Sequence, residues 1–170
     1  DSNTFQLLNC IIEKEEFPTT ICSVGIHPWY IDDEKDIQFE LLKSYATNEN
    51  VLAIGECGLD KITETDWNAQ VEIFEKQIQL ASVVQKPLII HCVRAYQEIF
   101  AILKDQKVNV PVVFHGFNKK SELGNSILQQ GYFVSLGTSI LNGNQDNFIQ
   151  SVELDKIFFE TDDKSTNVVD

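Results

Sequence analysis

Methionine is absent from this 170-residue chain, including position 1, and histidine, proline and glycine are scarce at 3, 4 and 8 residues. A chain without an initiator methionine reads as part of a longer protein. Basic residues are also few, 13 against 26 acidic ones, which leaves a net charge of −13. Lys and Arg neutralising phosphates supply most non-specific affinity for DNA, so this balance excludes a large basic footprint and a tightly gripping DNA enzyme. It leaves room for a local or metal-mediated phosphate site. Long apolar runs are missing too. None approaches the about 18–20 residues of a membrane helix, and no basic-then-apolar leader opens the chain, so no membrane partner is expected. The cysteines (Cys10, Cys22, Cys57 and Cys92) are widely spaced, with no C-x-x-C pair. That spacing excludes a compact disulfide framework and is expected of a reduced, cytoplasmic protein.

With 43% hydrophobic and 23% charged residues, the chain has enough apolar surface for a globular core and is not a disordered tail. Short runs rich in β-branched and aromatic residues recur at 21–26, 51–55, 87–91, 110–115, 132–136 and 156–160. Between them, apolar residues three and four apart mark amphipathic helices. The clearest runs from about Asp66 to Gln85, with Val71, Phe74 and Ile78 on its apolar face and acids, Lys and Gln opposite. Asp66 is its expected N-cap and Pro87 its stop. Residues 94–105 and 119–130 repeat the pattern, with Gly131 expected in the left-handed conformation after the second. Phe5, Leu8, Ile11 and Ile12 fit a further helix at the start of the chain.

Six strands alternating with helices imply a parallel sheet, because parallel neighbours need crossover connections. Leu88-Ile89-Ile90 and Val112-Val113-Phe114 read as strands buried on both faces. An open doubly wound sheet and a (β/α)8 barrel both fit the alternation. An ordinary barrel needs at least about 200 residues, so a barrel here would be incomplete. Residues 1–170 read as a single domain without linker or repeat.

Chemistry concentrates at strand ends. The 51–55 run leads into Glu56, the 87–90 run into His91, the 111–114 run into His115, the 156–159 run into Glu160-Thr161-Asp162, and the 21–26 run into His27-Pro28. In a parallel α/β protein these ends share one face, where active sites are built. Histidines with carboxylates are the donor set for a divalent ion such as Zn, Mn or Mg. Asp60 fits a helix cap or a partner behind a ligand. Arg94 suits a phosphate contact at a helix start. Trp29-Tyr30 reads as packing under a loop, with stacking on a base as the alternative. Cys57 and Cys92, next to expected ligands on their strands, should face away from them.

The strings Ser23-Val24-Gly25-Ile26-His27-Pro28-Trp29, Ala53-Ile54-Gly55-Glu56-Cys57-Gly58-Leu59-Asp60, Pro87-Leu88-Ile89-Ile90-His91, Phe114-His115-Gly116-Phe117 and Phe159-Glu160-Thr161-Asp162 resemble, in order and spacing, the TatD-type metal-dependent hydrolases. The resemblance spans about residues 20–163. It implies a (β/α)8 TIM barrel of the amidohydrolase-like kind, one or two divalent metals, and DNase activity on phosphodiesters. Carried over by position, Glu56 resembles the bridging carboxylate, His91 and His115 the two strand-end ligands, and Asp162 the last-strand aspartate that binds metal and acts as general base. His27 matches the G-x-H-P histidine near the site. The family's usual opening strand, ending in H-x-H, has no counterpart here, so the expected fold is a barrel lacking its first two strands and its C-terminal end. The usual H-x-R becomes His91-Cys92-Val93-Arg94, which displaces Arg94 from the family pattern. The expected partner is DNA or a small phosphate or ester substrate, bound weakly because of the acidic charge. A hydrolase of a small ester, lactone or amide on the same fold, and a decayed metal-binding interaction protein, are the alternatives.

Overall fold

The computed structural model describes residues 5–143 and 145–162, which divide into two compact units between Val110 and Pro111. The first unit contains strands β1 (Leu8–Ile11), β2 (Cys22–Gly25), β3 (Val51–Asp60) and β4 (Leu88–Val93), and helices α1 (Lys35–Ala46), α2 (Trp67–Val84) and α3 (Tyr96–Asp105). The second contains β5 (Val112–Phe114), α4 (Ser121–Gln129), β6 (Phe133–Leu136), α5 (Asp146–Ser151) and β7 (Ile157–Phe159). Strand pairing is parallel throughout: β1 with β2, β2 with β3 and β3 with β4 in the first unit, β5 with β6 and β6 with β7 in the second.

Seven strands form among the described residues, one more than the periodicity predicts. The extra one is β1, which replaces the helix expected at the start of the chain. Its residues alternate, with Cys10 and Ile12 buried and Asn9 exposed, and β2 offers it a ladder through Leu8 N–H to Ile21 O and Ile12 N–H to Gly25 O. The sheet edge overrides a local helical spacing that spans barely two turns.

Helix α2 forms as its ends dictate. Asp66 caps it by accepting the Ala69 N–H at 2.9 Å, and Gln85, left-handed at φ 54°, closes it before Pro87. Its apolar face buries Ile73, Phe74 and Ile78 in a core shared with Val24, Ile54, Leu88 and Ile90. Each such side chain stabilises the unit by about 1.5–3 kcal/mol. The second unit packs Phe114, Phe117, Ile127, Val134 and Phe148 in the same way, and Gly131 takes the left-handed turn after α4 at φ 83°.

No helix among the described residues is long and apolar enough to cross a membrane. Nor does any disulfide link the four cysteines.

Candidate functional site

In the first unit, β3 runs through Glu56 to Asp60 instead of ending before the acid. Between the Ile54–Leu88 and Cys57–Ile90 pairs, β3 carries one more residue than β4. This bulge re-aims the side chain of Glu56. The backbones approach closely here, and a Cβ on Gly58 (φ 140°) would lie 2.1 Å from the His91 carbonyl oxygen. Only glycine fits that position, which accounts for the second glycine of the G-E-x-G-L-D string.

Asn9 of β1 holds Glu56 from the other side. Its Nδ2 donates to Glu56 Oε1 at 3.0 Å, and its Oδ1 accepts the Glu56 N–H at 3.1 Å and the Ser23 hydroxyl at 3.2 Å. Helical spacing over residues 5–12 gives Asn9 no predicted role, because that spacing places it on a helix. Alternation of Cys10 and Ile12 against Asn9 was the available signal.

One atom each from His27, Glu56 and His91 forms a set whose members all lie within 4.8 Å of one another. Two donors 2.0–2.2 Å from one ion lie at most about 4.4 Å apart, so a set within 4.8 Å needs to close by no more than a few tenths of an ångström to take an ion. The hydrogen bonds decide how each ring can serve. The Trp29 N–H donates to His27 Nδ1 at 3.2 Å, which puts the proton of the neutral ring on Nε2, and that nitrogen faces Glu56 Oε2 at 3.8 Å. In this form His27 presents an N–H to its surroundings and not a lone pair. His91 Nε2 lies 3.3 Å from Asp60 Oδ2. Burial pushes the Asp60 carboxyl up, but hydrogen bonds from Trp29, the Ile62 N–H and His91 outweigh it and hold the group below the usual carboxylate range. An ionised Asp60 only accepts, so Nε2 of His91 donates and the ring's lone pair is on Nδ1. A histidine whose other nitrogen donates to a carboxylate has the arrangement found behind metal-bound imidazoles. Glu56 and His91 therefore fit a divalent ion, and His27 fits the place beside it.

Two buried glutamines of α2 position these groups. Gln77 accepts the Ile26 N–H at 2.9 Å and donates to the Ile26 carbonyl at 3.1 Å, fixing the backbone just before His27. Gln70 does the same for Asp60, at 2.8 and 3.1 Å. Periodicity alone places the glutamines of this helix on its polar outer face, whereas Gln70 and Gln77 are buried. They point inward because a primary amide can satisfy both the donor and the acceptor of a peptide group at a strand end.

Trp29 is also more than loop packing. It is 53% exposed, its indole N–H donates to Asp60 Oδ2 at 2.6 Å, and its ring meets those of His27 and His91 edge-on, with centroids 4.9 and 5.8 Å apart. Arg94 lies exposed in the turn between β4 and α3, left-handed at φ 55°. Cys57 is fully buried with its thiol on the Ile89 carbonyl, and no cysteine joins a candidate ligand group among the described residues.

In the second unit, His115 follows β5 and Asp162 follows β7, with a ring nitrogen and a carboxylate oxygen within 4.8 Å of each other. Behind them stands Glu160, whose Oε1 accepts the Gly116 N–H at 2.7 Å and lies 3.7 Å from His115 Nδ1. Burial pushes the Glu160 carboxyl up, while His115, Ser135 and the Gly116 N–H pull it down further, and the net direction is down. A cleft of about 70 Å³ opens here, lined by Gly116, Gly137, Thr138, Ser139, Glu160 and Asp162 among others. Asp162, left-handed at φ 46°, is exposed at its wall. An imidazole and a carboxylate at a solvent-accessible cleft are again a fitting donor pair for a divalent ion.

Strand-end histidines and acids on parallel β/α units invite comparison with known proteins. The family model described as TatD related DNase matches residues 2–165. The chain belongs to the TatD-related DNase family. Among its TatD-family relatives, an uncharacterized metal-dependent hydrolase of Methanocaldococcus jannaschii is 32% identical over 145 residues, covering 82% of this chain and 55% of that protein. An uncharacterized metal-dependent hydrolase of Buchnera aphidicola is 31% identical over 148 residues, covering 84% and 55%. A TATDN1 homologue of Enterocytozoon bieneusi, named for a deoxyribonuclease, is 29% identical over 163 residues, covering 89% and 58%. The chain thus spans a little over half the length of these relatives. Among solved structures, the TatD homologue YJJV of Escherichia coli superposes with a TM-score of 0.74 at 25% identity, covering 84% of this chain and 57% of that one. The fold is accordingly α/β of the TIM-barrel hydrolase type, represented in part.

Proposed function

We propose that the protein is a divalent-metal-dependent hydrolase acting on ester bonds, with DNA phosphodiesters as substrate. The observation that carries this reading is the convergence of Glu56 on β3, His91 on β4 and His27 just after β2, with Glu56 and His91 offering donors to an ion and His27 standing beside them. Family membership and the deoxyribonuclease name of the E. bieneusi relative support the choice of DNA.

In this reading Glu56 and His91 hold an ion in the first unit, and His115 and Asp162 offer donors in the second. Mg, Mn and Zn all accept such ligands. A divalent ion supplies Lewis-acid polarisation of a phosphoryl oxygen and makes water a better acid. Asp162, exposed at its cleft, accepts the proton of the attacking water as general base. His27, with its proton on Nε2, donates a hydrogen bond to a phosphoryl oxygen and steadies the developing charge. Asn9, Gln70 and Gln77 hold the backbone and side chains that orient these groups. Arg94, exposed beyond β4, is a candidate for a flanking phosphate.

The test is hydrolysis of short DNA oligonucleotides with added Mn, Mg or Zn. EDTA should abolish the activity, and Glu56→Ala and Asp162→Ala should each lower kcat by about 100-fold or more. Phosphodiesterase activity that survives both EDTA and Asp162→Ala overturns the proposal. The net charge of −13 favours a second reading, a small ester, lactone or amide as substrate on the same site. A salt titration separates them, since affinity for DNA falls as ionic strength rises and affinity for a neutral ester does not.

A further inference from the structure

Trp29 has a half-exposed ring, and its indole N–H is committed to a buried carboxylate. Asp60 is 3% exposed, and both of its carboxylate oxygens are engaged. Oδ1 takes the Ile62 N–H at 2.7 Å, a local turn that needs only that oxygen. Oδ2 takes the Trp29 indole N–H at 2.6 Å and faces His91 Nε2 at 3.3 Å. The Asp60 backbone is pinned at both N–H and C=O by Gln70. The carboxylate therefore cannot rotate away from His91 without breaking the bond to Trp29 or the bond to Ile62. Capping is not its task, because α2 is capped by Asp66.

We propose that Trp29 is a positioning residue that acts through Asp60: its indole N–H aims Oδ2 at His91, keeps the His91 proton on Nε2, and so presents the Nδ1 lone pair as the ligand atom. This rests on the reading of His91 as a metal ligand. What it adds is the chain Trp29–Asp60–His91, in which an aromatic residue at the surface sets the form of a ring it touches only by its edge.

The test uses the whole 170-residue chain, labelled with 15N-histidine and free of metal, at about pH 8, above the ordinary imidazole range. Its three histidines yield three ring systems in long-range 1H–15N spectra, which separate the Nδ1–H and Nε2–H forms. In the wild type, His91 is expected as Nε2–H. In Asp60→Asn, an amide that keeps its oxygen on the Ile62 N–H turns its NH2 toward His91, so the ring should convert to Nδ1–H. Zn2+ affinity, measured by competition with a chelating dye, should fall by about 10–100-fold in that variant. Trp29→Phe keeps an aromatic ring and removes only the donor. It should yield a mixture of the two forms and a loss near the lower end of that range, about 10-fold. In the double variant the Trp29→Phe loss should disappear, since residues acting through one another are not additive.

Three results overturn the inference: His91 found as Nδ1–H in the wild type, a His91 form unchanged in both single variants, or a Trp29→Phe loss that persists undiminished beside Asp60→Asn. Trp29 is half exposed, so its substitution leaves the core intact and keeps the test available even if Asp60→Asn fails to fold. Should the wild type bind no metal, the proposed function fails, while the metal-free spectra still decide this chain of contacts.

Discussion

Each unit backs a histidine with a carboxylate, but the two are built to different tightness. In the first, Asp60 and His91 sit on the paired strands β3 and β4, at 3.3 Å, with Trp29, Ile62 and Gln70 all fixing Asp60. In the second, Glu160 follows β7 and reaches His115 beyond β5 at 3.7 Å, outside hydrogen-bond range, while its short bond goes to the Gly116 N–H at 2.7 Å. One carboxylate lies at 3.3 Å from its ring and is fixed by Trp29 and Ile62. The other stands farther from its ring, at 3.7 Å, and is shared among His115, Ser135 and the Gly116 N–H. A short aspartate inside a ladder has few rotamers to lose, whereas a glutamate past a strand end pays more entropy for each contact. The Asp60–His91 pair is thus the more tightly held of the two.

The largest effect expected from this contrast is on stability. Gln77→Leu leaves the Ile26 N–H and C=O without their buried partner, and the first unit should lose about 2–4 kcal/mol in urea unfolding. An equal loss on replacing Gln145, whose Nε2 donates to the Phe117 carbonyl at 2.8 Å in the second unit, would erase the difference in tightness.

Next in size is a difference in metal affinity. Glu160→Gln keeps an acceptor for the Gly116 N–H and loses only the charge behind His115, so affinity for Zn2+ should fall by about 10-fold or less. That is expected to be smaller than the loss from Asp60→Asn, and the reverse order would invert the comparison.

The smallest effect is in pH dependence. Hydrogen bonds from Lys35 and Lys76 draw the Glu72 carboxyl of α2 down to about 2 from its ordinary 4.5. A folded pKa below the unfolded one adds stability that is fully present above about 4.5 and is lost as pH falls through about 2. Glu72 is largely solvent-facing, so screening holds the contribution to about 0.5–1 kcal/mol. The urea midpoints of wild type and Glu72→Gln should therefore differ at pH about 5 and converge near pH 2, with the difference confined to the first unit.

Much of this was legible along the chain. Alternating apolar runs and amphipathic segments specify parallel β/α units, because the period of the pattern reports local geometry and burial. Asp66, Pro87 and Gly131 mark helix ends through local chemistry alone, and a histidine or acid follows five of the six apolar runs. Other features depended on neighbours distant in sequence. Leu8–Ile11 became a strand because β2 lay beside it, against its own spacing. Asn9 reached Glu56 across 47 residues, and Gln77 reached Ile26 across 51. Trp29, Asp60 and His91 formed a chain that no local signal announces. The pattern of residues determined which elements form and where reactive groups stand along them. Tertiary packing decided which nitrogen of His91 carries a proton and which polar side chain turns inward, because the hydrogen bonds that choose between such forms exist only once donors and acceptors distant in sequence are within about 3 Å.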